Sequence, residues 1–320
     1  MEISLAPLQG YTEYPFRNAF SEIIGGVDKY YSPFIRFEND GSIRKKHIND
    51  ILPENNRKTG TIPQILVNST KGFLKLANLI EEFGYTELNW NLGCPFPMVA
   101  KRRLGSGLLA SPEIIHQILD EVMPKTKLRI SVKLRSGYNN DSEIDAVIGV
   151  LNQFPVSEII YHPRIGKQQY KGHADIKKFA EVQSISKHTM AYNGDIDSAE
   201  KFKSIKTTIP DIRHYMIGRG LISNPFLATE IKTGKPLADA QKRALFNEFH
   251  NCLLEHYATA LSGNAHILNK FIHYWEYFSR LFIDGKKTYK IVKKCKTVDE
   301  LKQNTDFIIN NSGYSTSFST

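Results

Sequence analysis

An α/β fold, a (β/α)8 TIM barrel with a small C-terminal all-helical domain, is what three features of this 320-residue chain predict. Eight short runs rich in β-branched and apolar residues recur between longer amphipathic stretches. Polar residues follow those runs repeatedly, and the alternation stops after Ile217-Gly218-Arg219-Gly220. A barrel of this kind takes roughly 250 residues, which leaves room for one appendage.

In order, the strand-like runs fall at 3–6, 29–32, 64–67, 87–91, 130–134, 158–161, 189–192 and 215–217, with segments between them able to hold crossover helices. Ser111-Pro112-Glu113 before Ile114-Ile115 reads as a helix start, with an N-cap, a proline at the first helical position and an acid in the first turn. Beyond the eighth run, Gly234-Lys235-Pro236 breaks the chain before Phe246, Phe249, Leu253, Tyr257 and Leu261 recur at helical spacing. The boundary is therefore placed near Gly234, giving a barrel over 1–234 and a helical domain over 235–310. A second helix is expected at 266–282 and a third over the lysine-rich 286–296. The polar, low-complexity ending, 311–320, is expected to be a flexible tail.

Lys and Arg total 42 against 33 Asp and Glu, a net charge of +9 that favours polyanionic partners. Three cysteines, Cys94, Cys252 and Cys295, are too few and scattered for a disulfide framework or a metal cluster, so no metal is expected and a reducing cytoplasm fits best. No leader-like segment opens the sequence and no apolar stretch approaches the ~20 residues that span a bilayer, so no membrane association is expected.

Active sites of such barrels gather at the carboxyl ends of the strands, and the candidates fall there. Gln64 opens the third run; Asn91 ends the fourth, with Gly93-Cys94-Pro95 behind it; Lys133 lies late in the fifth; His162 and Arg164 follow the sixth; Asn193-Gly194-Asp195 follow the seventh; Gly218-Arg219-Gly220 follow the eighth. Singly, each has a bland reading: a buried cysteine, a hydrogen-bonded histidine, turn-forming glycines. Recurrence at one barrel end favours a site. The glycines after the last two strands suit a phosphate, with Arg219 adding charge. Lys133 in a barrel mouth needs an anionic or electron-rich partner, either a flavin ring or a structural carboxylate. Cys94, on a loop shaped by glycine and proline, is either a proton donor or a nucleophile.

Four blocks then carry a resemblance. Ala6-Pro7-Leu8-Gln9-Gly10-Tyr11-Thr12 with Pro15-Phe16-Arg17, Asn91-Leu92-Gly93-Cys94-Pro95, Ser131-Val132-Lys133-Leu134-Arg135 and Ile217-Gly218-Arg219-Gly220 stand in the order found in the tRNA-dihydrouridine synthases, which the chain resembles from its first strand to about Pro225. The resemblance implies FMN at the barrel mouth, NADPH as its reductant, hydride transfer to C6 of a tRNA uridine in the D-loop region, and protonation of C5 by Cys94. It implies that Gln64, Lys133 and His162 contact the flavin; that Asn193, Gly194, Gly218 and Arg219, beside Asp195, hold its phosphate; and that Ala6 and Pro7 line the ring. Asn91 falls between flavin and uracil, with Arg164 on the substrate side.

On the same reading the helical domain binds tRNA, as a monomer. Lys286, Lys287, Lys290, Lys293, Lys294 and Lys296 cluster around Tyr289, Lys270 lies near Trp275 and Tyr277, and Lys101, Arg102 and Arg103 extend the basic surface toward Cys94. The sequence departs from the family's pattern at Phe96-Pro97-Met98 and at Asn269-Lys270. Two rivals remain: a flavoenzyme acting on a free pyrimidine, resembling dihydroorotate dehydrogenase, and a tRNA-binding barrel without catalysis.

Overall fold

The computed structural model describes residues 1–315. Its strands are β1 (Glu2–Leu5), β2 (Lys29–Tyr31), β3 (Thr61–Ile62), β4 (Gln64–Ile65), β5 (Glu87–Leu92), β6 (Arg129–Gly137), β7 (Ile159–Ile165), β8 (Met190–Asn193) and β9 (His214–Ile217). All pair in parallel, in the order β3-β2-β1-β9-β8-β7-β6-β5-β4. Only Pro63 separates the two ends of that order, so the sheet closes into a barrel whose third strand is split. Proline has no N–H to donate, which interrupts the ladder. Its carbonyl still accepts from Asn89 N at 2.8 Å, and Ile35 pairs alongside Gln64 and Leu66 to cover the gap. The third run thus begins at Thr61, earlier than the expected 64–67, because the sequence reading stopped at Pro63.

Crossover helices follow from spacing and caps. They are α1 (Tyr14–Ala19), α2 (Thr70–Glu82), α3 (Pro112–Val122), α4 (Glu143–Leu151), α5 (Ile176–Ile185) and α6 (Ala199–Thr208). In α2, Phe73, Leu76, Ala77 and Ile80 form the buried stripe, and Ser69 caps the start by accepting from Gly72 N, a bond worth about 1 kcal/mol. α3 begins with Pro112 as expected, but the Ser111 side chain makes no capping bond.

Two short helices follow the barrel, α7 (Arg219–Ser223) and α8 (Leu227–Thr233), and Gly234, at φ +69°, terminates α8 in the left-handed conformation that suits glycine. Beyond it lie α9 (Asp239–Ala260), α10 (Asn264–Phe278), α11 (Gly285–Val292) and α12 (Val298–Asn311). The helix expected at 266–282 ends at Phe278 and continues as a single 3-10 turn, and the lysine-rich helix stops at Val292. α12 was not foreseen. The segment expected to be flexible from 311 is held as far as Ser315: Tyr314 is buried against Phe282, Ile283 N donates to Gly313 O at 3.0 Å, and Ser315 N donates to Leu281 O at 2.8 Å. Residues 316–320 of the expected tail lie outside the described residues.

The helical region docks on the barrel through one continuous apolar core. Phe249 of α9 packs edge-on against Phe16 and Phe20, and Tyr274 of α10 stacks on Phe16 at 5.5 Å. Each such aromatic contributes about 1.5–3 kcal/mol when fully buried. Among the described residues no helix is long and apolar enough to cross a membrane.

Inside the barrel, alternate strand residues face the axis, and they sort into layers. Ser4 and His214 lie at the amino ends; Ala6, Tyr31, Ile62, Ile160, Ala191 and Met216 fill the middle; Asn91, Lys133, His162 and Asn193 come together at the carboxyl ends.

Candidate active site

The main cavity opens at those carboxyl ends, lined by Ala6, Pro7, Asn91, Cys94, Lys133, His162, Asn193, Gly194, Asp195, Gly218 and Arg219 among others. Eleven residues predicted from separate strands thus share one cavity. Gln64 does not line it: fully buried, its amide donates to Asn89 Oδ1 and accepts from Asn91 Nδ2, both at 2.7 Å. Its part is to orient Asn91. The Asn91 Oδ1 in turn accepts from the backbone N–H groups of Gly93 (3.0 Å) and Cys94 (2.9 Å), bending the loop so that the thiol faces the cavity.

Burial pushes the Cys94 thiol above its ordinary range, opposed by the Phe96 backbone N–H and by Arg135, Arg36 and Lys133. The thiol therefore stays protonated at neutral pH, which suits an acid better than a nucleophile. Gly105, at φ +56°, packs directly against Cys94; an added Cβ there would lie 2.7 Å from that of Cys94. Ser106 Oγ donates to Cys94 O at 2.8 Å, fixing the loop from behind.

Lys133 reaches Asn193 Oδ1 at 2.7 Å, while Asn193 Nδ2 donates to Met216 O at 2.8 Å. No carboxylate pairs with Lys133 among the described residues, and burial, with Arg135 nearby, brings it down to about 7. The structural-carboxylate alternative is thereby removed. His162 is held well below its usual range by burial and by Arg135, Lys133, Arg164 and Arg219, and is neutral; its Nε2 is buried without a hydrogen-bond partner. An orphaned ring nitrogen and a single-partnered ammonium in one cavity call for a ligand with both acceptors and donors. A flavin ring fits that description.

Asp195 joins two loops. It accepts from Arg164 Nη2 and Ala174 N, both at 2.8 Å, and lies 3.7 Å from Arg219. Arg164, expected on the substrate side, is buried, with its guanidinium turned to Asp195 and Gly172 O rather than into the cavity. A residue late on a strand has the right place for the site, but a buried arginine goes to its nearest carboxylate.

Sequence reasoning gave no role to Arg135 and Tyr170. Arg135 shares the inward side with Lys133, two residues earlier on β6, so the period-2 rule was signal enough. Its guanidinium donates to Gln169 O at 2.7 Å, and Tyr170 lies 5.4 Å from it and 4.4 Å from the guanidinium of Arg219. These three form a cationic, aromatic wall at the mouth. Phe96 and Met98, just after Cys94, are exposed.

Outside the cavity, Lys101, Arg102 and Arg103 are exposed beyond the Cys94 loop, and Lys286, Lys287, Lys290, Lys293, Lys294 and Lys296 are exposed on and after α11. Lys270 is different. Its ammonium pairs with Glu13, donates to Gly10 O at 2.8 Å and sits over Tyr257 at 5.0 Å, so it ties α10 to the loop after β1 instead of facing a partner.

The chain matches the family model described as dihydrouridine synthase over residues 4–312. It is 26% identical over 313 residues, covering 94% of this chain and 92% of the relative, to the tRNA-dihydrouridine(16) synthase of Neisseria meningitidis serogroup B. It is 31% identical over 240 residues, 72% of this chain and 74% of the relative, to the tRNA-dihydrouridine(16) synthase of Pseudomonas syringae pv. tomato. That organism's tRNA-dihydrouridine synthase B is 27% identical over 264 residues, 79% and 74% of the two chains. A solved structure of a morphinone reductase mutant in complex with tetrahydroNAD shares the fold, at a TM-score of 0.51 and 10% identity over 75% of this chain and 90% of that one.

Proposed function

The chain belongs to the dihydrouridine synthase family, flavin-dependent oxidoreductases that reduce uridine in tRNA, and from that premise we propose how its residues divide the work. The flavin is FMN. Lys133 and His162 bond its ring, Ala6 and Pro7 back it, and Gly194, Gly218 and Arg219 hold its phosphate, with Asn193 fixing Lys133 and Asp195 aligning Arg219. When bound, the flavin supplies hydride to C6 of the uracil, with NADPH as the external reductant.

Cys94 holds the proton that C5 takes, and Asn91 holds Cys94. Gln64 acts through Asn91. Arg135 and Tyr170 close the mouth around the base, excluding water and favouring the negative charge that develops on the uracil carbonyl oxygens. Residues 1–234 form the catalytic domain and 235–310 the tRNA-binding domain; Lys290, Lys293 and Lys294, with Lys101 and Arg102 near the mouth, meet phosphates of the D-loop region. The enzyme works as a monomer in the cytoplasm, where Cys94, Cys252 and Cys295 form no disulfide.

The single observation that carries this reading is the shared cavity itself: a protonated, buried thiol beside a lysine and a histidine with unmet hydrogen-bonding capacity. The decisive experiment incubates purified protein with NADPH and tRNA from a strain lacking its own synthases, then maps reduced uridines by sequencing. Reduction at a defined D-loop position is expected. NADPH oxidation with tRNA untouched overturns the substrate assignment in favour of a free pyrimidine.

A further inference from the structure

Away from the barrel mouth, where α9 crosses the segment that follows α1, three side chains of different chemistry converge. Cys252 and His256 stand one turn apart on α9, and Glu22 comes from the π-helical turn Phe20–Ile24. Their ligand atoms all lie within 4.8 Å of one another, and among the described residues no other group of three or more histidines, cysteines and carboxylates does so. We propose that Cys252, His256 and Glu22 form a three-ligand site for a divalent borderline ion, zinc above all, which clamps the helical domain to the barrel.

Two observations support it. First, Cys252 Sγ and His256 Nε2 are 3.8 Å apart. Tetrahedral zinc with bonds of about 2.3 Å to sulfur and 2.0 Å to nitrogen sets those atoms about 3.5 Å apart, within a small side-chain adjustment of the observed spacing. Second, His256 Nδ1 lies 3.2 Å from Pro15 O. A carbonyl at that distance favours the tautomer with the proton on Nδ1, leaving the Nε2 lone pair toward Cys252, as ligating histidines are ordinarily held. Lys58, which bonds Glu22 at 3.0 Å, competes with an ion for that carboxylate. Binding forms a metal–sulfur bond and releases the thiol proton to solvent, with no change in oxidation state.

The cysteine count argued against a metal cluster, but it does not see a Cys–His pair completed by a carboxylate from the other end of the chain. Nor does the site depend on the catalytic reading, since none of its residues lines the main cavity.

Cobalt(II) added to the full chain under a phosphine reductant tests it. One equivalent is expected to give a thiolate-to-cobalt charge-transfer band and the visible bands of a tetrahedral ion, both abolished by added zinc. Cys252→Ser should lose the charge-transfer band. His256→Ala, which removes a direct ligand, should weaken binding by more than the about 10–100-fold that loss of an outer-shell partner costs. Glu22→Gln, at an exposed position, should weaken it without touching the fold, and Lys58→Met, which removes the competitor for Glu22, should tighten it. Absence of the band in the unaltered chain, its survival in Cys252→Ser, or indifference to Glu22→Gln and Lys58→Met overturns the site. Circular dichroism on each variant separates lost binding from lost structure.

Discussion

The two ends of the barrel are built from the same strands, and both bury polar side chains, yet they treat them differently. At the amino ends, His214 on β9 is bonded at both ring nitrogens, to Glu158 Oε1 and Ser4 Oγ, each at 2.7 Å. At the carboxyl ends, His162 on β7 has an orphaned Nε2, and Lys133 on β6 has an amide oxygen but no carboxylate. A buried polar group with its partners in place is structure; one left short of partners where it lines the cavity is a binding surface waiting for a ligand. Burial alone does not separate the two cases, because His214 and His162 are both buried. Hydrogen-bond satisfaction does.

The largest effect should come from the group that only the carboxyl end needs. Cys94→Ala is expected to lower dihydrouridine formation by about 10²–10⁴-fold, the usual contribution of a positioned acid. Flavin content and reduction by NADPH should persist. Full activity in this variant, measured on tRNA by sequencing, would remove Cys94 from the mechanism.

Next in size is the behaviour of Lys133 with pH. Burial brings it from the ordinary 10.5 to about 7 without a flavin. Between those values the unfolded chain carries a proton that the folded chain does not, so this group's share of stability rises with pH across the window. An electron-rich ring favours the ammonium form, so flavin binding takes up a proton there. Affinity should fall as pH rises above about 7, by at most about tenfold per unit, and Lys133→Met should flatten the slope. A flavin titration that is pH-independent in the unaltered protein would show that Lys133 does not meet the ring.

The place of the site was legible in the sequence, and the limits were physical. Strand ends are read from apolar runs, which places Asn91, Cys94, Lys133, His162, Asn193 and Arg219 at one mouth. Hydrogen-bond partners could not be read. Lys270 sits amid aromatic residues and positive charge, which looks like an RNA surface until Glu13 arrives from the far end of the chain to pair with it. Arg164 lies late on β7 as a site residue should, but Asp195 claims its Nη2. Pro63 hid the true start of the third strand, and Arg135 was passed over although its position relative to Lys133 showed its direction. Sequence periodicity sets where a side chain points, whereas distant partners decide whether anything remains for a ligand.

The exposed lysines lack such partners, and they supply a smaller effect. Lys290, Lys293 and Lys294 are exposed, and no carboxylate pairs with them among the described residues. Replacing all three by glutamine should weaken tRNA binding and lower the slope of log affinity against log salt by about two, since up to three phosphates lose their partners at about 0.7–0.9 each. Equal binding at several salt concentrations would return them to an ordinary solvated helix face.

The smallest expected effect lies at the satisfied end, and it is the sharpest control. His214→Ala strips Glu158 and Ser4 of their partner and leaves a partly buried carboxylate short of a donor, at a cost of about 1–3 kcal/mol. For a chain of this size that lowers Tm by a few degrees, at about 2–4 °C per kcal/mol. His214→Gln should recover part of the loss by restoring one bond. Flavin affinity, its pH slope and the rate on tRNA should stay as they were, because the apolar layer of Tyr31, Ile160 and Met216 stands between the two ends. If His214→Ala instead loosens flavin as much as it lowers Tm, the layer transmits strain. The barrel must then be read as one coupled polar column rather than as a structural end and a chemical one.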